Sequence, residues 1–261
     1  MRIRYAILGL VLWAVSINAQ DTAAEPPKLV VGLIVDQMRF DFLERYQEHF
    51  GEGGFKRLMR EGYSFENTHY TYIPTVTAAG HSSIYTGVTP SVHGVIDNSW
   101  YERESNRMVS NVGDPTVRIV GSLVEGTSGY SPARLVTRTI TDQLREESNS
   151  QAKVISVSLK DRGAILPGGH RPNGVYWNDW ESSPGHFVSS SYYMEELPSW
   201  VVNFNKKERA EKYLDKTWET LLPIEKYTAS APDDNPHERV LRGKETPTFP
   251  YDLKAMRELY N

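Results

Sequence analysis

The sequence predicts an α/β fold: a mainly parallel sheet flanked by helices and elaborated by β-hairpins. Three observations carry that expectation. KLVVGLIV, residues 28–35, is short, β-branched and almost continuously apolar, as a strand covered on both faces must be. AKVISVSL, residues 152–159, is a second run of the same kind. Segments with helical apolar spacing, closed by glycine, lie between them, and alternation of strand and helix is the plan of an α/β protein.

Taken in order, the 28–35 strand leads into RFDFLERYQEHF, a helix stopped by GEGG, and then into FKRLMREG, a helix stopped by Gly62. YSFENTHYTYIP, residues 63–74, reads as a further strand. From Thr77 a helix runs to Gly87, with Ala78, Ala79 and Gly80 leaving its first turn sterically open and Gly87 giving a left-handed exit. NSWYERESNRMVSNV, residues 98–112, and NGVYWNDWESSPGHFVSSSYY, residues 173–193, read as aromatic-rich hairpin insertions walling a site. SPARLVTRTITDQLREE forms a helix with Ser131 as cap, Pro132 first, and Val136, Ile140 and Leu144 on one face. TPTFPYDLKAMRELYN, at the end of the chain, is an amphipathic helix.

Composition excludes several function classes. There is no cysteine among the 261 residues, so disulfides, thiolate metal sites and a cysteine nucleophile are ruled out. The formal charge of -4 leaves no basic footprint for nucleic acid. Residues 1–19 have a basic start at Arg2 and Arg4, an apolar run from Tyr5 to Ile17 and a small residue at Ala19, the pattern of a cleaved secretory signal. That run is short of the ~20 apolar residues a membrane span needs, so no permanent anchor is expected. Residues 20–27 read as a tether, 28–261 as the working domain, and the address as secreted, periplasmic or extracellular.

Ligands of open α/β sheets gather beyond the carboxyl ends of the strands. Asp36 follows the first apolar run, Lys160 and Arg162 follow the second, and Thr77 opens a helix whose amide-rich end favours an anion. Each has a bland reading as well. A threonine before a helix is most often a cap, an aspartate after a strand a loop residue, KDR a surface charge cluster, and the Asn98 of DNSWY a turn residue. Their combination in this order along one chain is what favours a site.

LIVDQMR, PTVTAAGHSSIYTGVTPSVHGVIDNSWY and SLKDRGAILPGG resemble the alkaline phosphatase superfamily, in particular the secreted phosphate-irrepressible alkaline phosphatases with a threonine nucleophile, relatives of the nucleotide pyrophosphatase/phosphodiesterases. The resemblance runs from about Lys28 to the end of the chain. It implies a superfamily sandwich fold and hydrolysis of phosphate monoesters. Thr77 matches the nucleophile, which becomes a phosphothreonine; Asp36 matches a zinc ligand, and the Thr77 oxygen binds the same zinc. Asn98, Lys160 and Arg162 match the groups that hold phosphoryl oxygens. The implied cofactor is a pair of zinc ions, which lower the hydroxyl pKa and clamp attacking and leaving oxygens. The lysine and arginine favour a doubly charged monoester over a diester. A phosphodiesterase or nucleotide pyrophosphatase is the alternative, and a non-catalytic glycan- or anion-binding module the second.

The chain departs from the family in its ligands. Two zinc sites need three or four protein donors each, and only Asp36 and Thr77 are matched. Asp233 and His237 have the D-x-x-x-H spacing, but Pro236 between them reads as a solvated loop. The expectation is the N-terminal half of such an enzyme, incomplete at its C-terminus and inactive by itself.

Overall fold

The computed structural model describes residues 27–180 and 184–259. The expected signal segment, 1–19, lies outside the described residues, as does all of the 20–27 tether but its last residue. The chain divides into two compact units, Met1–Asp36 and Gln37–Asn261.

In the first unit, the expected strand at 28–35 does not form. The described backbone there has no sheet partner, and Leu29, Val30, Val31 and Leu33 are 72–79% exposed. A continuous apolar run becomes a doubly covered strand only when neighbouring strands take up its amides and carbonyls. Among the described residues none does so for this one.

The second unit is built on a five-stranded sheet in the order β4-β3-β7-β6-β5. Its strands are β3 (Gly113–Val120), β4 (Ser128–Tyr130), β5 (Ile155–Ser158), β6 (Gly174–Asp179) and β7 (His186–Ser190). A separate hairpin pairs β1 (Ser99–Glu102) with β2 (Arg107–Ser110), and a short ribbon pairs β8 (Thr217–Trp218) with β9 (Tyr251–Asp252). β5 and β6 are parallel, from Ile155 opposite Gly174 to Ser158 opposite Trp177; the pairings of β6 with β7, β7 with β3 and β3 with β4 are antiparallel. The α/β class therefore holds, with a mixed sheet in place of a mainly parallel one. The hairpin expected at 98–112 is present as β1 and β2. The one expected at 173–193 is the centre of the sheet: every residue of β6 is buried. The aromatic residues of β6, Tyr176 and Trp177, are core. Trp177 meets Tyr130 edge-on at 5.9 Å, and Tyr176 meets Trp200 at 5.1 Å.

Helices cover the sheet. Thr77–Thr86 and Asp161–Gly168 pack against each other, and their buried faces join the strands in one core through Ala78, Ala164, Ile165, Leu166, Val175 and Val188. Burying Ile165 and Leu166 completely contributes ~2–3 kcal/mol each. The expected helix at 131–147 is shortened to Ile140–Glu147. Thr139 and Asp142 form a reciprocal capping box, which fixes the helix start there, while the amide of Val136 bonds to the carbonyl of His93. Ser131 makes a local turn instead, accepting from the amide of Ala133 and donating to Asp114 Oδ2 at 2.5 Å. The apolar stripe of Val136, Ile140 and Leu144 is accordingly exposed. β5 is an edge strand, with Ile155 and Val157 more than half exposed, and not the doubly covered strand expected of AKVISVSL.

The 39–50 segment is a short helix, Phe42–Arg45, followed by a 3-10 turn, Gln47–His49. Gly54–Glu61 forms as expected, and Gly62 closes it with an ordinary negative φ; a Cβ there would meet the Leu58 carbonyl oxygen at 2.5 Å. Residues 63–74 form a loop in place of the expected strand, because their largely exposed side chains have no pleated face to bury. Asp233–His237 is loop, as expected, and the final helix, Leu253–Glu258, is capped by Asp252, whose Oδ1 accepts from Ala255 N.

Candidate active site

The Thr77–Thr86 helix starts with Val76 as its N-cap, and Thr77 is the first helical residue, half-buried. Thr77 is therefore not the cap that the simplest reading of a threonine at a helix start would make it. The capping acceptor comes from 20 residues away: Asn98 Oδ1 accepts from Ala78 N at 3.0 Å. With its carbonyl end committed to the helix, Asn98 keeps its NH2 end as the one able to donate to an anion beside Thr77. The side chains of Ala78 and Ala79 are wholly buried, and Gly80 is buried too. Their smallness lets this helix approach the rest of the core, in place of the open first turn expected from sequence. Gly87 closes the helix with φ 72°, in the left-handed region.

Two histidines of the same segment support the backbone. His81 Nδ1–H donates to the carbonyl of Thr77 at 2.8 Å. His93, fully buried, accepts the amide of Val95 at Nδ1, so its proton sits on Nε2 and is donated to Ser83 Oγ at 3.0 Å. Burial pushes the His93 pKa down, in keeping with a neutral ring. Both histidines of this segment thus have structural roles.

Lys160 lies just past the carboxyl end of β5 and is the N-cap of the Asp161–Gly168 helix, with Arg162 in its first turn. Lys160 is exposed. Arg162 is about a quarter exposed at its side chain; its Nε is 3.5 Å from Asp161 Oδ1 but donates no hydrogen bond among the described residues, although the atom itself is buried. A buried guanidinium donor without a hydrogen-bond partner is the kind of group that an anion would satisfy. Thr77, whose helix Asn98 caps from the bend before β1, and Lys160 with Arg162 thus stand at the starts of two helices that pack together. Asp36 belongs to the first unit and is exposed. Among the described residues, no group of three or more His, Asp or Glu side chains is placed to hold a metal ion. The described residues do not by themselves fit a pair of zinc ions.

Sequence reasoning missed two supports. Asn111, fully buried after β2, holds the Asn98 carbonyl twice, from its backbone amide at 3.2 Å and its Nδ2 at 2.5 Å. No local pattern marks it. Asp142 and His170 tie down the far end of the Asp161–Gly168 helix, and the T-x-x-D capping box at Thr139 was a readable signal for the first of them.

Among the described residues, no helix is long and apolar enough to cross a membrane. The chain is 48% identical over 246 residues to alkaline phosphatase PafA of Elizabethkingia meningoseptica, covering 94% of this chain and 45% of that protein. It is 48% identical over 267 residues to alkaline phosphatase PhoV of Synechococcus elongatus, covering 97% and 48%. The crystal structure of wild-type PafA superposes with a TM-score of 0.84 at 49% identity, covering 89% of this chain and 45% of that one; a variant of the same protein superposes equally well. The chain thus spans about half the length of these relatives. The model of the type I phosphodiesterase / nucleotide pyrophosphatase family matches residues 30–247, and the chain belongs to that family.

Proposed function

We propose that this chain carries the nucleophile and phosphoryl-binding groups of a phosphate monoester hydrolase that works through a phosphothreonine at Thr77. The observation that carries the reading is the pairing of Thr77, at the first position of its helix, with Asn98, whose Oδ1 caps that helix at Ala78. It is supported by the solved PafA variant, which has a threonine changed to serine and an asparagine, a lysine and an arginine changed to alanine. Those four positions are separated along that chain by the same intervals as Thr77, Asn98, Lys160 and Arg162 along this one.

In the proposed reaction the Thr77 oxygen attacks phosphorus, the bond to the ester oxygen breaks, and the departing alkoxide leaves as the alcohol with the proton that Thr77 gave up. Water then cleaves the phosphothreonine to release phosphate. Asn98 donates from its NH2 end to one nonbridging oxygen, and Lys160 and Arg162 compensate the charge on the others. Asp36 and Thr77 are proposed as metal ligands, with zinc as the metal. No step is assigned to a metal, because the described residues do not complete its site. For the same reason the 261-residue chain by itself is expected to be inactive. Small phosphate monoesters are the proposed substrates and a compartment outside the cytoplasm the proposed address.

The family description favours a second reading, a phosphodiesterase or nucleotide pyrophosphatase. Parallel assays of p-nitrophenyl phosphate and bis(p-nitrophenyl) phosphate on the protein carrying this chain separate the two. Preference for the monoester supports the proposal, and preference for the diester overturns it. A glycan platform at 173–193 would have to be built on Trp180 and Tyr192, which are 61% and 41% exposed, since Tyr176 and Trp177 are core at 2% and 3%.

A further inference from the structure

The Asp161–Gly168 helix carries Arg162 at its start, and its other end is held by an unusual density of polar contacts. The Thr141 hydroxyl lies within hydrogen-bonding reach of the carbonyls of Pro167 and Gly168, at 2.9 and 3.1 Å. The Tyr193 hydroxyl donates to the carbonyl of Gly169 at 3.0 Å. Asp142, 4% exposed, accepts the amides of His170 and Arg171 on Oδ1 at 2.8 and 2.9 Å. Its Oδ2 takes the Thr139 amide, the Thr139 hydroxyl and His170 Nδ1, all at 3.0–3.1 Å. Gly169 completes the fit: at φ 73°, a Cβ on it would sit 2.6 Å from Asp142 Oδ2.

His170 is the informative member. Nδ1 faces the Asp142 carboxylate, and Nε2 faces the carbonyl of Leu135 at 2.8 Å. Neither partner can donate, so both contacts are hydrogen bonds only when both ring nitrogens carry protons. The geometry therefore selects an imidazolium, set against a buried carboxylate. Of the charged groups around the ring, Asp142 is the one that acts on it directly. The Arg145 guanidinium is taken up by the carbonyls of Arg171, Ser150 and Ala152. Tyr192 and Tyr193, on the segment after β7, are pushed above the usual phenol range, chiefly by burial, and stay neutral.

We propose that the His170 imidazolium and Asp142 form a charged clamp that positions the Asp161–Gly168 helix, and with it Lys160 and Arg162, and that the clamp slackens when the ring loses its proton. His170 is in this sense a positioning residue, and its importance for catalysis rests on the role proposed above for the two cations. The helix is ~12 Å long at 1.5 Å per residue, short enough for a shift at its C-terminal end to be felt at its start. The direction of the pH effect follows from the raised His170 pKa, due first to the hydrogen bond that its Nδ1–H donates to Asp142. A pKa raised by folding gives stabilisation that is complete below the ordinary value of 6.5 and is lost as pH rises through the folded value. The clamp is thus firm below pH 6.5, until Asp142 itself takes a proton near pH 2, and it weakens as pH rises through the raised His170 value.

The test uses the full 261-residue chain without substrate. Its histidine rings and backbone amides are followed by 15N NMR as pH is raised from ~5 to ~10, a range spanning the ordinary histidine pKa. The expected result is a His170 ring protonated at both nitrogens beyond pH 6.5, with the amides of Lys160 and Arg162 shifting in step with its titration. In His170→Gln that step should vanish. Titration of His170 at or below 6.5, immobile Lys160 and Arg162 resonances while the ring titrates, or a step that persists in His170→Gln would each overturn the clamp. The wild-type titration decides the matter even if the variant fails to fold. Because no turnover is measured, failure here leaves the assignment of Thr77 untouched, and failure of that assignment leaves the clamp untouched.

Discussion

Replacing Asp142 by asparagine is the sharpest test of how this half of the site is held. The native carboxyl has a pKa of about 2 against an ordinary 3.8, because its hydrogen bonds to His170, Thr139 and Arg171 outweigh the burial that would raise it. A depression of that size corresponds to about 2 kcal/mol of folding free energy at neutral pH, an order-of-magnitude figure. The stabilisation is complete above 3.8 and is lost as pH falls through about 2. Asparagine keeps one acceptor oxygen, while its NH2 group faces donors and the His170 imidazolium loses its counter-charge. With that addition the cost is ~3 kcal/mol, at the lower end of what breaking a buried ion pair brings. Urea melts followed by tryptophan fluorescence read it directly, since Trp177 is buried in the core. The midpoint should fall by ~1 M or more at neutral pH. The difference between parent and variant should shrink to under ~1 kcal/mol near pH 2, once the parent carboxylate is itself protonated. A difference that is small at neutral pH, or that stays constant down to pH 2, would refute the reasoning.

Three further outcomes are expected. Asn98→Ala removes the acceptor for Ala78 N and should cost ~1 kcal/mol in the same melts, as loss of a helix cap does, and should reduce monoester turnover in the protein that carries this chain. A variant as stable as the parent would show the cap to be dispensable. Gly169→Ala forces a side chain into the left-handed region against Asp142 and should lower stability by ~2 kcal/mol or more in a thermal melt. In the protein that carries this chain, Lys160→Ala combined with Arg162→Ala should reduce p-nitrophenyl phosphate turnover at least ~10-fold more than diester turnover, because the monoester carries the additional charge. Equal losses on both substrates would make the pair structural.

What the sequence reveals and what it conceals divide along physical lines. The Thr77–Thr86 helix is legible because its exit needs the positive φ of Gly87, a demand one residue states by itself. Lys160 and Arg162 are legible because a strand-like run stops just before them. The 28–35 run misleads because apolar composition records a tendency to be covered, while a strand also requires partners for its backbone. The early helix start at Ser131 misleads for a related reason. Ser131 and Pro132 satisfy local rules, but the capping box of Thr139 and Asp142 is the stronger start signal and sets the boundary. GVYWND reads as part of an aromatic-rich insertion; burial of Asn178 and Asp179 at its end depends on the surrounding fold and leaves no local mark. Asn111 and His170 were invisible for the same reason, since each acts on residues distant along the chain.

The central claim concerns one oxygen. In the protein that carries this chain, supplied with zinc, rapid mixing with a phosphate monoester followed by acid quench and peptide mass spectrometry reads where the phosphoryl group resides during turnover. The account expects phosphate on Thr77, and its disappearance together with turnover in Thr77→Ala. Phosphate trapped on another residue, or turnover at the parent rate in Thr77→Ala, would contradict it.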